Sequence, residues 1–253
     1  MEEKIKKKIS VEERIYKTPT VQFLALSAAA ALALCVLVFL VMMILGFGFV
    51  SETMDDGRVI NYFGIVREGD PTFGWLCDSD GKRGFVSRNG IKYSDGSRYE
   101  GELSGFYYNG EAKYTDADGN LYEGSFVWGK LNGRVTVKYA DGGGFEGSYL
   151  DGKRQGYGKE SFTDKNGNVW GYSGEYAGGE KNGYGEYTYS DGSFYKGSFK
   201  DGMRHGEGTY RFASGDSYTG DFRNNVIHGM GTMMFSSGRI FSGEFRNGVP
   251  VIE

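Results

Sequence analysis

Two histidines, two aspartate clusters, many paired glycines and scattered serines are the residues of this 253-residue chain whose types suit metal, phosphate or acyl-transfer chemistry. His205 and His228 stand 23 residues apart. If that interval spans two strands, the imidazoles are about 10 Å apart, too far to share a zinc ion held by bonds of ~2 Å. Asn109, Asn132, Gln155 and Asn182 hold the same offset elsewhere, so the position asks for a polar residue near a turn. Asp116-Ala-Asp118-Gly-Asn120 and Asp78-Ser-Asp80-Gly81 are spaced like the start of a calcium loop. Such a loop needs glycine at its sixth position and glutamate at its twelfth, and from Asp116 these are Leu121 and Val127. Both segments read as hairpin turns. Gly-x-Gly pairs (Gly156/Gly158, Gly183/Gly185, Gly206/Gly208, Gly229/Gly231) would cradle phosphate only where a strand leads into a helix, and no helical pattern follows any of them. No serine lies in Gly-x-Ser-x-Gly. Catalytic, metal-binding and cofactor-binding residues are therefore all assigned as none, and no cofactor is expected.

The glycines belong instead to a recurring unit. Aromatic-x-Gly triplets begin at Tyr99, Tyr122, Phe145, Tyr172, Tyr195, Tyr218 and Phe241, at intervals of 23, 23, 27, 23, 23 and 23 residues. Four residues after each start comes a second large apolar residue, from Leu103 and Phe126 to Phe222 and Phe245. Spacing by two marks one face of a strand. Beyond the Gly-x-Gly pair, Tyr187 and Tyr189, Tyr210 and Phe212, and Met233 and Phe235 alternate in the same way and mark a second strand. Asp151-Gly152, Asp201-Gly202 and Asn247-Gly248 separate the two strands, while Asp141-Gly142 and Asp191-Gly192 join successive units. Pairs of this kind tolerate positive φ and suit tight hairpin turns. The expected fold is mostly β, an elongated single-layer antiparallel meander preceded by one transmembrane α-helix.

Composition agrees. The chain has 43 glycines, 3 prolines and 16% aromatic residues, which argues against collagen and against disorder. Pro19, Pro71 and Pro250 leave the repeats uninterrupted. Cys35 and Cys77 make no disulfide framework. Net charge is −4 overall and +2 in residues 1–20, so the remainder carries −6. An acidic remainder argues against nucleic acid as a partner. It also weakens contact with anionic lipid headgroups, although Lys153, Arg154, Lys181 and Arg204 form a local basic stripe, read as a solvated, salt-paired edge of the ribbon.

Residues 21–50 contain no charge and are long enough to cross a bilayer core, which takes about 20 helical residues. Thr18-Pro19 suits a helix start. A cleaved signal peptide is the competing reading, but the apolar run exceeds a typical one and no small-residue cleavage site follows it. The basic residues precede the span and Glu52, Asp55 and Asp56 follow it, which places the N-terminus in the cytoplasm and the repeats outside it. The expected organisation is a basic N-terminus (1–20), an uncleaved anchor (21–50), degenerate capping repeats (51–98) and a repeat array (99–253) of about seven units, the last truncated.

These offsets resemble those of the MORN (membrane occupation and recognition nexus) repeat, Y-x-G-x-[WF]-x-x-G-x-x-x-G-x-G, over residues 99–248. The resemblance is strongest in the third to sixth units. Phe106, Ala112 and Val135 depart from it at glycine positions, and the third unit carries the insertion FTDKNGNVWGY, expected to lengthen one hairpin. The resemblance implies a non-enzymatic interaction platform, here a membrane-anchored scaffold for a protein partner. Tyr187, Tyr189, Tyr210, Phe212 and Phe235 are its candidate partner-binding residues. A module bridging to a second membrane or a cell-wall polymer is the alternative.

Overall fold

The computed structural model describes residues 19–252, with side chains from Leu26 onward. Its one helix, α1, runs Pro19–Ile44, with proline at the first helical position where its missing N–H is not needed. Thr18, the expected cap, lies outside the described residues. None of the side chains from Leu26 to Ile44 is buried, and the helix is long and apolar enough to cross a membrane. It stops earlier than the uncharged run. Leu45 donates its N–H to the carbonyl of Val41 at 2.9 Å, and Gly46, at φ +89°, turns the chain. Phe47–Val50, which the sequence places in the span, instead open the first strand.

Everything after α1 is one open antiparallel sheet of 19 strands, each paired with its neighbours in chain order. The first five are β1 (Phe47–Thr53), β2 (Val59–Arg67), β3 (Asp70–Asp78), β4 (Arg83–Ser87) and β5 (Gly90–Tyr93). Then come β6 (Arg98–Ser104), β7 (Tyr107–Thr115), β8 (Leu121–Val127), β9 (Lys130–Lys138), β10 (Gly144–Leu150), β11 (Lys153–Thr163) and β12 (Val169–Ala177). The last seven are β13 (Glu180–Thr188), β14 (Phe194–Lys200), β15 (Met203–Arg211), β16 (Ser217–Arg223), β17 (Val226–Met234), β18 (Ile240–Arg246) and β19 (Val249–Pro250). The truncated seventh unit is thus β18 with two residues of a return strand.

The hairpin β14–β15 shows why the sequence repeats. Asp201 (φ 49°) and Gly202 (φ 76°) are both left-handed, which gives a two-residue turn whose twist matches that of the strands. Between units, Asp191 Oδ1 accepts from the backbone N–H and the hydroxyl of Ser193, at 2.9 and 2.7 Å. The two glycines of Gly-x-Gly do different things. Gly206, at φ 65°, lies in a bulge where the register skips between Gly197 and Phe199. Gly208 lies under a ring. Tyr195, fully buried, covers Gly197 and Gly208, and a methyl group on either would come within 2.6 or 2.4 Å of its Oη. The hydroxyl donates to the carbonyl of Ser198 at 2.9 Å, inside the bulge.

Tyr62, Tyr172 and Tyr218 repeat both features, covering a glycine pair and donating to the carbonyl three residues on. From β10 to β18 the covered glycines are register partners in an unbroken row: Gly147, Gly158, Gly174, Gly185, Gly197, Gly208, Gly220, Gly231 and Gly243. Tyr172, Tyr195 and Tyr218 also pack edge-to-face against two rings each. Tyr195 meets Phe199 of its own unit and Phe222 of the next, both with centroids 5.1 Å away. Such pairs contribute roughly 0.5–1.5 kcal/mol each beyond area burial, so a unit is stabilised mainly by its neighbours.

The departures from the pattern have local explanations. Val135, fully buried, fills the glycine row between Gly124 and Gly147. Tyr122 is only partly buried and directs its hydroxyl to Asp116 Oδ2 at 3.3 Å. The insertion does lengthen a hairpin, β11–β12, where Phe162 stacks on Trp170 at 4.3 Å. In the cap, β2–β3 form a complete unit with Tyr62 over Gly64 and Gly74. Tyr62 meets Phe106 at 5.4 Å, and the N–H of Asp55 donates to the hydroxyl of Tyr107 at 2.9 Å, so the β1–β2 turn packs across the sheet face onto the β6–β7 turn.

Candidate interaction surface

The face that carries the buried tyrosines also carries the candidate partner-binding residues. Four of them come together. Tyr187 meets Tyr189 at 4.4 Å, Tyr189 meets Tyr210 at 5.7 Å and Tyr210 meets Phe212 at 4.6 Å, in one chain of half-buried rings resting on the core. Phe235 stands apart at the turn into β18, with the Arg239 guanidinium 4.7 Å above its ring. Tyr189, Phe212 and Phe235 are equivalent, each accepting at its carbonyl and donating at its N–H to close the turn between units.

Three cations sit among these rings. Arg154, Lys181 and Arg204 are the register partners of Tyr149, Tyr176 and Phe199. Equivalent positions in other units hold Tyr108, Leu131 and Ile227. The basic stripe is therefore not a solvated edge, and only Lys153 is exposed. The Arg204 guanidinium lies 4.8 Å from the Tyr210 centroid, 5.6 Å from Phe222, 5.8 Å from Tyr195 and 5.9 Å from Tyr189. Its Nη2 donates to the carbonyl of Asn225 at 2.7 Å, while its buried Nε has no partner among the described residues. Lys181 lies 4.5 Å over Tyr187 and 5.1 Å over Tyr172, and Arg154 lies 4.3 Å over Phe145. Glu160 joins Arg154 at 2.8 Å and Lys181 at 3.9 Å.

Burial sets the ionisation on this face. It pulls the Lys181 ammonium below the usual lysine range, helped by the Arg154 charge and opposed by Glu160. It opposes the Arg154 charge too, but hydrogen bonding to Tyr149 and the ion pair with Glu160 more than offset it, and that pKa is raised. Burial pushes the Tyr195 hydroxyl up to about 12 and raises those of Tyr187 and Tyr189. The face offers π surfaces and fixed positive charge, the chemistry of a docking surface for rings and carboxylates.

The aspartates of the two calcium-loop-like segments have structural employment. Asp116 Oδ1 accepts the N–H groups of Asp118 and Asn120, and its Oδ2 accepts from Asn120 Nδ2 and Tyr122. Asp78 Oδ1 accepts the N–H groups of Asp80 and Lys82. His205 and His228 lie in equivalent bulges of β14–β15 and β16–β17. A groove of about 430 Å³ between cap and array contains Arg58, Asp78, Lys82 and Tyr93. Two of its cations are paired locally, Arg58 with Asp56 at 2.8 Å and Lys82 with Asp95 at 2.9 Å.

Two features escape a reading of the sequence. One is the inward placement of Arg154, Lys181 and Arg204. The periodic recurrence of a basic residue five positions after the second aromatic is its only signal. The other is a set of exposed aromatic residues on β1–β4, described below.

No curated protein matches this chain. One matching solved structure is the SAS-4 (dCPAP) TCP domain in complex with a Proline Rich Motif of Ana2 (dSTIL) of Drosophila Melanogaster, at 15% identity over 67% of this chain and 87% of that one, with a TM-score of 0.33. The family model for the MORN repeat matches residues 122–144, 145–167, 172–194, 195–217 and 218–238. The units at Tyr99, with Ala112 in a glycine place, and at Phe241, with its short return strand, fall outside the matched segments. Between residues 122 and 238 the chain is a tract of five MORN repeats.

Proposed function

We propose that this chain is a membrane-anchored, non-enzymatic scaffold that docks a protein partner on the ring face of its repeats. The carrying observation is the chain of half-buried rings from Tyr187 to Phe212 with Arg204 among them. Rings already held by packing lose little freedom on binding, and a cation lacking a carboxylate within ion-pair distance among the described residues favours an acidic or aromatic partner segment. Anchoring is supported by α1, none of whose described side chains from Leu26 on is buried; a helix of this length and composition serves as an anchor or as a signal sequence. With basic residues before it and Glu52, Asp55 and Asp56 after it, the N-terminus is cytoplasmic and the repeats extracytoplasmic.

A photocrosslinking side chain in place of Phe212, compared with one in place of Lys196 on the opposite face, tests the docking reading in intact membranes. The expected result is a stoichiometric protein adduct from position 212 and none from 196. Equal adducts from both, or none from either, contradicts it. An adduct to lipid or wall polymer instead supports the bridging alternative.

A further inference from the structure

Over most of its length the face opposite the tyrosines is polar. Lys113 pairs with Glu123 at 2.7 Å, Glu186 with Lys196 at 2.7 Å, Thr209 with Thr219 at 3.1 Å and Thr232 with Ser242 at 2.9 Å. On β1–β4 this character reverses. Phe49, Phe63, Phe73, Trp75 and Phe85 point away from the Tyr62 side and touch one another, with centroid distances of 4.4 Å for Phe49–Phe63, 5.1 Å for Phe73–Phe85 and 5.4 Å for Trp75–Phe85. Phe49 is 74% exposed, Trp75 49% and Phe73 44%. The core of the cap is on the other face, built from Tyr62, Leu76 and Val86, so these rings are not needed to bury it. A contiguous exposed apolar patch marks a surface that meets something.

Position says what it meets. Two residues, Leu45 and Gly46, separate the end of α1 from β1. At ~4.8 Å per strand the fourth strand of the patch is only about 14 Å from the first. Tryptophan and other amphipathic rings favour the headgroup level of a bilayer. The outward positions of these strands from Phe47 to Thr53, Val59 to Ile65, Phe73 to Cys77 and Arg83 to Ser87 hold no carboxylate. Arg83, partner of Cys77, and Lys92, partner of Phe85, rim the patch, and neither has an ion-pair partner among the described residues.

We propose that this aromatic patch lies in the headgroup zone of the bilayer that α1 enters, with Arg83 and Lys92 on anionic lipid phosphates, so that the first strands rest on the membrane and hold the repeat array at a set attitude to it. The proposal rests on reading α1 as a membrane anchor. Trp75 is a natural reporter, since Trp128 and Trp170 are the other two tryptophans. The full chain, as Trp128→Phe/Trp170→Phe or as Trp75→Phe/Trp128→Phe, is reconstituted in phosphatidylcholine vesicles with or without phosphatidylglycerol, the acyl chains brominated near the headgroup. The expected result is at least severalfold stronger quenching of Trp75 than of Trp170, increased by phosphatidylglycerol. If the chain resists carbonate extraction but Trp75 is quenched no more than Trp170, the anchor stands and the patch proposal falls. Shielding of that unquenched Trp75 from aqueous iodide would then assign the patch to a second copy or another protein. Quenching indifferent to phosphatidylglycerol removes the role of Arg83 and Lys92. Release by carbonate overturns the anchor and the proposal together.

Discussion

Tyr195 and the glycines beneath it are the smallest unit that explains the fold. Gly208→Ala sets a methyl group against the Tyr195 hydroxyl and should cost ~1–3 kcal/mol, as overpacking does, read as a lower denaturant midpoint with an unchanged slope. Tyr195→Phe leaves the ring but strips the Ser198 carbonyl of its donor, an expected loss of about 1 kcal/mol. Arg204→Ala should cost roughly 1–2 kcal/mol through lost ring contacts. Arg204→Lys should not recover it, since an ammonium cannot both reach the Asn225 carbonyl and lie flat over Tyr210. Wild-type stability in the lysine variant would refute the stacked geometry. The tyrosines also set an alkaline limit. Tyr93, Tyr99, Tyr122 and Tyr195 are pushed from 10.0 to about 12, chiefly by burial. The fold therefore favours their protonated form, a stabilisation fully present below pH 10 and lost as pH rises through about 12. Thermal midpoints should fall steeply across that window, with tyrosinate absorbance rising as the sheet unfolds. Tyrosinate formation without loss of stability would contradict this.

At the scale of strands and hairpins, each unit borrows the next unit's phenylalanine to close over its tyrosine. Ending the chain after Phe235 removes Phe245, which packs on Tyr218 at 5.1 Å. Hydrogen exchange should then accelerate in β16 and β17 while β6 to β9 keep their protection, the signature of nearest-neighbour coupling. Uniform acceleration would mean that the sheet behaves as one cooperative block. Much of this level is legible in the sequence, because the 23-residue interval, the Asp-Gly turns and the paired glycines each have one local cause that acts in every copy. The side on which Arg154, Lys181 and Arg204 lie is not. They stand between a turn and a bulge, and a one-residue change of register sends a side chain to the opposite face. In β2 and β3 large apolar residues stand on both faces, Tyr62 beside Phe63 and Trp75 beside Leu76, so alternation does not tell which face is bare, and the start of β1 is masked because Phe47-Gly-Phe-Val continues the apolar run of α1. The set Tyr187, Tyr189, Tyr210 and Phe212 was legible as one face, whereas Phe235, sharing only the offset, lies outside their ring contacts.

The whole molecule is a ribbon with two different faces that follows one apolar helix. Its ring face carries aromatic side chains and cations, its opposite face is mostly polar away from the helix, and no side chain of α1 from Leu26 on is buried by the sheet. These features make sense together if a bilayer covers what the protein leaves bare. Topology is the most direct test. Ser237 lies in an exposed turn between β17 and β18, far along the chain from α1, and Cys35 and Cys77 are the only natural cysteines. In Cys35→Ser/Cys77→Ser/Ser237→Cys, a membrane-impermeant thiol reagent added to intact cells should label the chain fully, with no gain on permeabilisation and with the labelled chain staying in the membrane pellet after carbonate. Labelling only after permeabilisation, or a labelled chain released into the supernatant, would contradict the anchored, outward-facing arrangement.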